Sequence, residues 1–127
     1  SLDPSDLIVS LDIPDGGRAS AYEKFRNPAS GYAICGVAAY LAFAPDGTVA
    51  ACRLAVGGAT PRPLRLMSAE ASLVGNRLSM EGLTEALRAE VTALPLLSDR
   101  AASAEYRAQL VVMLGVQAVR RSRERGA

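Results

Sequence analysis

The sequence predicts an α+β fold, an antiparallel sheet of three or four strands followed by three helices packed on one face. Two observations carry this. Up to Gly57-Gly58 the apolar residues are β-branched or alternate with period two, and turn-forming clusters break the runs. After the stiff connector Ala59-Thr60-Pro61-Arg62-Pro63 the period becomes helical. The 127 residues, half of them apolar and 21% charged, give room for one domain with a core of its own.

The strands follow in order. Leu7–Ile13 is rich in β-branched residues and ends at Pro14-Asp15-Gly16-Gly17, so it reads as a first strand and a turn. Ser20–Phe25 reads as a second strand, with Tyr22 and Lys24 on one face and Ala21, Glu23 and Phe25 on the other. Asn27-Pro28-Ala29-Ser30-Gly31 is a loop, because Pro28 drives Asn27 out of helical space and Gly31 frees the backbone. Tyr32–Phe43 and Thr48–Gly57 form a hairpin across Asp46-Gly47, a pair suited to a two-residue turn with positive φ at both positions. That register sets Leu41 opposite Cys52, Val37 opposite Val56 and Phe43 opposite Ala50, and it matches the apolar faces.

The same register bears on the two cysteines. Cys35 lies six residues up its strand from Leu41, hence about 20 Å from Cys52 at roughly 3.3 Å per residue. A disulfide needs Cα atoms within about 7 Å. Two buried, reduced thiols and a reducing compartment are therefore expected. Arg53, on the opposite face from Cys52 and Leu54, points outward.

Three helices come next. Ser68 is placed to cap a short one, with Glu70 near its N-terminal dipole, Leu73 and Val74 closing it and Gly75-Asn76 stopping it. Ser79 caps a second, on which Leu83, Ala86, Leu87 and Val91 recur at helical spacing before Pro95. Ser103 caps the third, which runs to about Arg123. Its expected inner stripe is Tyr106, Leu110, Met113, Leu114 and Gln117, widened by Val111, Val112 and Val119.

Composition removes several function classes. A net charge of +1 lacks the basic footprint of a nucleic-acid binder. The chain has no histidine, which excludes Ser-His-Asp and Cys-His catalysis and nearly every zinc site built by one chain. With no tryptophan and 5% aromatics, stacking platforms are scarce. No apolar run reaches the eighteen or so residues of a membrane span, and the start is not a signal peptide.

Pairwise chemistry is equally thin. Ser20 and Lys24 share a strand face but stand about 13 Å apart, too far for a dyad. Asp12, Asp15, Glu23 and Asp46 scatter over strand ends and turns with no acid/base pairing in their spacing. Gly16-Gly17 and Gly57-Gly58 lie outside any strand–GxGxxG–helix context. No catalytic residue and no metal ligand set emerges. Arg120, Arg121, Arg123 and Arg125 form a basic tail, either solvated or facing an acidic partner.

One segment stands apart. All but one of the 14 basic residues are arginine, and the exception, Lys24, sits between Tyr22 and Tyr32 across the Pro/Gly loop. A loop of this kind can hold a cation and aromatic edges at a sheet rim, so Tyr22–Ala33 is the best candidate for a ligand or partner contact.

The run Ser20–Ala29, then Tyr32-Ala33-Ile34 and Gly36-Val37-Ala38-Ala39, resembles the C-terminal domain of the flavoprotein (medium) subunit of carbon-monoxide-dehydrogenase- and xanthine-dehydrogenase-type molybdenum hydroxylases. Gly57-Gly58 with Pro61 and Pro63-Leu64-Arg65, then Ser98-Asp99-Arg100-Ala101, then Ser103–Arg107 extend the resemblance in order, over about Leu7 to Val119. It implies a small antiparallel sheet packed by three helices. It also implies that residues 1–127 are one domain, following an upstream FAD-binding domain that this chain lacks, and that the isolated domain is inactive. FAD would be bound mainly by that upstream domain. The molybdenum cofactor would sit in a large subunit and two [2Fe-2S] clusters in a small one, both partners of a cytoplasmic assembly. Tyr22 and Lys24 fall on flavin-proximal positions, and Tyr106 and Arg107 would fasten the third helix. Gly31 departs from the pattern, standing where a larger, often charged residue is expected. The rival reading is a free-standing interaction domain, with no redox role, that binds partners through Tyr22, Lys24 and the basic tail.

Overall fold

A computed structural model describes residues 3–12 and 19–126. Four strands, β1 (Ser20–Arg26), β2 (Ala33–Phe43), β3 (Val49–Gly57) and β4 (Leu64–Arg65), pair antiparallel in the order β1-β2-β3-β4. Three helices follow, α1 (Met67–Leu73), α2 (Met80–Val91) and α3 (Ala104–Gly126). The α+β class is as the sequence predicts. α3 lies across β1 and β2, α1 packs on β3, and α2 bridges the two helices. The core between sheet and helices holds Val37, Leu41, Leu54 and Val56 from the strands and Leu83, Leu87, Val111 and Val119 from the helices, all but excluded from solvent.

The fourth strand is not the one expected. Over residues 7–12 the chain forms no strand, and Leu7 and Val9 are 83% and 91% exposed. Ile13 and the turn Pro14-Asp15-Gly16-Gly17 lie outside the described residues. β propensity alone does not hold a strand, which needs a partner's hydrogen bonds and a face to bury. The sheet takes β4 instead, whose Leu64 and Arg65 pair with Val56 and Ala55.

The hairpin register holds for Leu41↔Cys52 and Val37↔Val56, but a bulge after Ala42 sets Phe43 opposite Val49 rather than Ala50. The turn explains this. Only Gly47 has positive φ, +82°, and its N–H donates to the Ala44 carbonyl at 2.9 Å. A turn of that kind followed by a left-handed glycine inserts one extra residue. Asp46 braces it by accepting from both the N–H and the hydroxyl of Thr48.

Two helix expectations also change. Ser68 does not cap α1. The cap position is Leu66, and the carboxylate of Glu90 on α2 accepts from the N–H groups of Ser68 and Ala69 at 3.2 and 2.7 Å. Glu70 turns into the core rather than serving the helix dipole. It accepts from the Leu54 N–H at 2.8 Å and is ion-paired with Arg65, continuing the ladder of β3 where β4 ends. Ser79 and Ser103 cap α2 and α3 as predicted. On α3 the inward face is Arg107, Leu110, Val111, Leu114, Gly115, Ala118, Val119 and Ser122, while Tyr106, Met113 and Gln117 are exposed and the helix runs on to Gly126. The inward side is rotated by about one residue from the apolar stripe, because it includes an arginine, a glycine and a serine. Ser122 donates to the Ala19 carbonyl at 2.7 Å, Gly115 packs against Leu87, and Arg107 makes a buried polar contact with the Ile34 carbonyl.

Arg107 is 2% exposed. Its Nη1 donates to the carbonyls of Ile34 at 2.5 Å and Gly58 at 3.0 Å, and its Nη2 to Asp99 at 2.8 Å. One side chain thus ties α3 to the start of β2, the bend after β3 and the loop before α3. No helix among the described residues is long and apolar enough to cross a membrane.

Three outcomes follow from this packing. Arg107→Met takes this donor from the buried carbonyl of Ile34 and from that of Gly58, leaves Asp99 without its cation, and is expected to lower the unfolding free energy by about 3 kcal/mol in urea titration. Asp99→Asn, which keeps those donors, is expected to cost distinctly less. Burial alone would raise the Glu70 pKa, but Arg65 and the Leu54 N–H outweigh it and hold the carboxyl below the ordinary glutamate range. The folded value being the lower one, this contact's stability is complete above an unfolded pKa of about 4.3 and is lost as the pH falls through the folded value. Between about pH 6 and pH 3 the urea midpoint should therefore drop more for the wild type than for Glu70→Gln. Cys35 and Cys52 are free and buried, and burial pushes both thiols up to about 11. Iodoacetamide at about pH 8 should label neither until the chain unfolds, as mass spectrometry would read.

Candidate functional site

Helices cover one face of the sheet, so the outward positions of β1–β3 form a bare surface. Alternation along β1 buries Ala21 and turns Tyr22, 54% exposed, and Lys24 to the open side. The register arranges that side in cross-strand rows: Ser20–Tyr40–Arg53, Tyr22–Ala38–Ala55 and Lys24–Gly36–Gly57. Ala42 and Ala51 add a fourth pair. The surface is therefore made of small side chains, with two tyrosines and two cations standing on it.

The Tyr22 ring does not stand over its own partner, Ala38. It leans one row along, so that its phenol lies on the bare backbone of Gly36, the residue opposite Lys24. Tyr22 and Lys24, expected to share a face, are thus brought to one end of the sheet with the hydroxyl of one leaning toward the row of the other. Among the described residues no carboxylate pairs with Lys24, whereas Glu23, facing the other way, takes Arg121 at 2.5 Å. A hollow of about 390 Å3 opens beside Tyr22, bounded by Ser20, Ala38, Tyr40, Arg53 and Arg125, and Lys24 lies outside its lining.

The loop after β1 is held firmly. Asn27 Oδ1 accepts from the N–H groups of Ala29 and Ser30, the Gly31 N–H donates to the Asn27 carbonyl at 2.8 Å, and the Asn27 N–H closes onto the Tyr32 carbonyl at 2.8 Å. Phe25 meets Tyr106 of α3 edge to face at 6.0 Å. The expected neighbour Tyr32 stands exposed at the rim. The basic tail is partly taken up by the fold, since Arg121 pairs with Glu23 and Arg125 donates to the Ser20 carbonyl.

Sequence reasoning left Tyr40 and Gly36 out of the site and counted Arg125 only within the basic tail. The predicted hairpin register already placed Tyr40 opposite Arg53, and that was the available signal. Gly36 and Arg125 depend on the pairing of β1 with β2 and on the end of α3, for which the sequence carries no turn rule.

The chemistry this surface supports is recognition of a planar, electron-rich or anionic group by an ammonium, a phenol and a flat small-residue floor. It holds no acid/base pair, and among the described residues no cluster of metal-ligating side chains occurs. A larger groove of about 550 Å3 lies between α2 and α3, floored by Val91, Val112, Met113 and Val116 between Arg88 and Arg120, with neither carboxylate nor nucleophilic thiol in its lining.

Residues 20–122 match the model of the CO dehydrogenase flavoprotein C-terminal domain. The chain is 35% identical over 111 residues to the nicotine 6-hydroxylase medium subunit of Paenarthrobacter nicotinovorans, covering 87% of this chain and 39% of that protein. It is 30% identical over 113 residues to the 6-hydroxypseudooxynicotine dehydrogenase complex subunit alpha of the same organism, covering 87% of this chain and 38% of that one. Carbon monoxide dehydrogenase from Hydrogenophaga pseudoflava superposes with a TM-score of 0.76 at 25% identity, over 86% of this chain and 38% of that chain. The matched stretch thus spans under two fifths of each relative. It is one part of a longer architecture in all of them, and this chain belongs to the family of CO dehydrogenase flavoprotein C-terminal domains.

Proposed function

We propose that this domain forms one wall of the FAD site in a molybdenum-hydroxylase flavoprotein subunit and serves as a docking face for the rest of that assembly. The observation that carries the reading is the two-sidedness of the sheet. One face is sealed by helices, and the other presents Tyr22 and Lys24 over a floor of glycine and alanine that a flat ring can approach closely. FAD fits such a wall but not a complete pocket, since these residues supply a cation and an aromatic edge and no phosphate cradle. Its grip falls mainly to an FAD-binding domain upstream, in keeping with relatives more than twice as long. When bound, FAD supplies electron acceptance and release.

This chain's residues would act on it electrostatically. The ammonium of Lys24 lowers the energy of negative charge that develops on a nearby ring. The Tyr22 phenol presents a polar edge, and the helix-covered face keeps water from the sheet behind it. The partners in this reading are a small subunit carrying [2Fe-2S] clusters and a large subunit carrying the molybdenum cofactor. Support comes from relatives called a medium subunit and a complex subunit, and from a structural neighbour described as a Cu,Mo-CO dehydrogenase.

The test uses the complete flavoprotein subunit loaded with FAD. Lys24→Met is expected to lower the flavin midpoint potential by on the order of 30 mV, the change a tenfold shift in equilibrium makes for a two-electron couple. Lys24→Arg should restore most of it. Unchanged potential and unchanged FAD retention in both variants would overturn the reading.

A further inference from the structure

Gly36 sits in the middle of the longest strand, where a glycine weakens pairing and packs nothing. Its backbone gives no reason for the choice. The positive-φ glycines among the described residues are Gly31, Gly47, Gly58 and Gly75, so Gly36 has a conformation that alanine also adopts. The reason is space on the open face. A Cβ built at Gly36 would meet the Tyr22 ring at 2.7 Å from Cζ and 2.9 Å from Cε2, and would collide with its hydroxyl. Those separations are below contact distance for any side chain, so the ring has its present pose only because position 36 is bare.

The pose is directional. Tyr22 is paired with Ala38, yet its phenol extends away from that row and the Ser20–Tyr40–Arg53 row beyond it, into the row of Lys24. With Gly57 as the next residue in the same row, no side chain from β2 or β3 contests the ground beside Lys24. Tyr22 fills it lying down.

We propose that Gly36 is a positioning residue that beds the Tyr22 ring on the sheet, directs its hydroxyl toward Lys24 and so sets the height at which a planar cofactor meets this wall. A methyl group at position 36 lifts the ring off the floor, swings the phenol away from the Lys24 row and raises an obstacle where the flat ligand would rest. This deepens the flavin reading above and rests on it. Its structural half, the bedded ring, is measurable without any flavin.

The experiment has two arms. In this chain, NMR should find the Gly36 Hα protons shifted upfield by the ring above them, and Tyr22→Leu should return them to ordinary values. In the complete flavoprotein subunit, Gly36→Ala should weaken FAD binding about tenfold by titration and alter the flavin's visible circular dichroism. Adding Tyr22→Leu to Gly36→Ala should bring both back to the values of Tyr22→Leu alone, a rescue that a general loss of strand stability would not show. Absence of the upfield shift overturns the inference whatever the flavin does. If the shift is present and Lys24→Met moves the flavin potential while Gly36→Ala leaves FAD affinity and dichroism untouched, the bedding is packing only and the inference is wrong while the flavin wall stands. If neither Lys24→Met nor Gly36→Ala disturbs the flavin, both fall together.

Discussion

The fold turns on one buried guanidinium. Arg107 reaches from the first turn of α3 into the seam where β2 begins and β3 ends, and it satisfies the carbonyls of Ile34 and Gly58 while Asp99 balances its charge. Among the described residues its Nε has no hydrogen-bond partner. What it achieves is convergence. A planar fork with fixed donor directions can bridge two backbone segments and a carboxylate at once, which a lysine cannot. Gly58 completes the seam: at φ +75°, with space for a Cβ only 2.5 Å from the Ala33 carbonyl oxygen, no other residue would let the two backbones meet. Of the stretches carrying the family resemblance, that around Gly57-Gly58 lies far along the chain from those at Asp99-Arg100 and Tyr106-Arg107, and this seam is where they touch.

The seam also decides which side of the sheet is free. With α3 pinned at its start by Arg107 and near its end by Ser122 and Arg125, the helix lies across β1 and β2 along its length, and α1 is held against β3 by Glu70. All helical mass is on one side. The opposite side keeps the alternate residues of three strands with no helix among the described residues over them, and most of those residues are small. A one-sided sheet is ordinary in an α+β fold when its bare face is polar. Here the bare face is largely alanine and glycine, a composition that favours close approach by another surface over solvation.

What the sequence revealed, and what it hid, follows from the range of each signal. The β2–β3 hairpin was legible because its register is set locally, by apolar alternation and by a turn a few residues long. Only the pair beside the turn slipped, where the bulge at Ala42-Phe43 adds a residue. The caps of α2 and α3 were legible for the same reason. The cap of α1 was not, because its acceptor, Glu90, comes from 22 residues away. The inner face of α3 is not legible from hydrophobicity alone, because that face contains Arg107 and Ser122. The strand expected at Leu7–Ile13 had the right residues and no partner. At the candidate site, the shared face of Tyr22 and Lys24 was visible from strict alternation along β1. The seat of the Tyr22 ring was not, since it depends on β1 pairing with β2 across a loop whose length sets no register, with a further shift at Phe25-Arg26.

The charge on the open face is a by-product of how the fold is held. Three carboxylates are held in ion pairs away from it: Glu23 turns under the sheet to Arg121, Glu70 enters the core to meet Arg65, and Asp99 neutralises Arg107. The outward positions of β1, β2 and β3 in register, from Ser20, Tyr22 and Lys24 through Gly36, Ala38, Tyr40 and Ala42 to Ala51, Arg53, Ala55 and Gly57, include no acid at all. No carboxylate of that face therefore competes for Lys24 with whatever approaches it. In open water that charge would be worth little, because screening and a dielectric near 80 reduce a contact at 4 Å to about 1 kcal/mol. Covered as proposed by a second domain and a flat ring, the same ammonium would lie in a medium where the interaction is several times stronger. On the proposed reading, such a wall would stay nearly inert until docked, and the small residues of its floor would let the docking surface come close to Lys24.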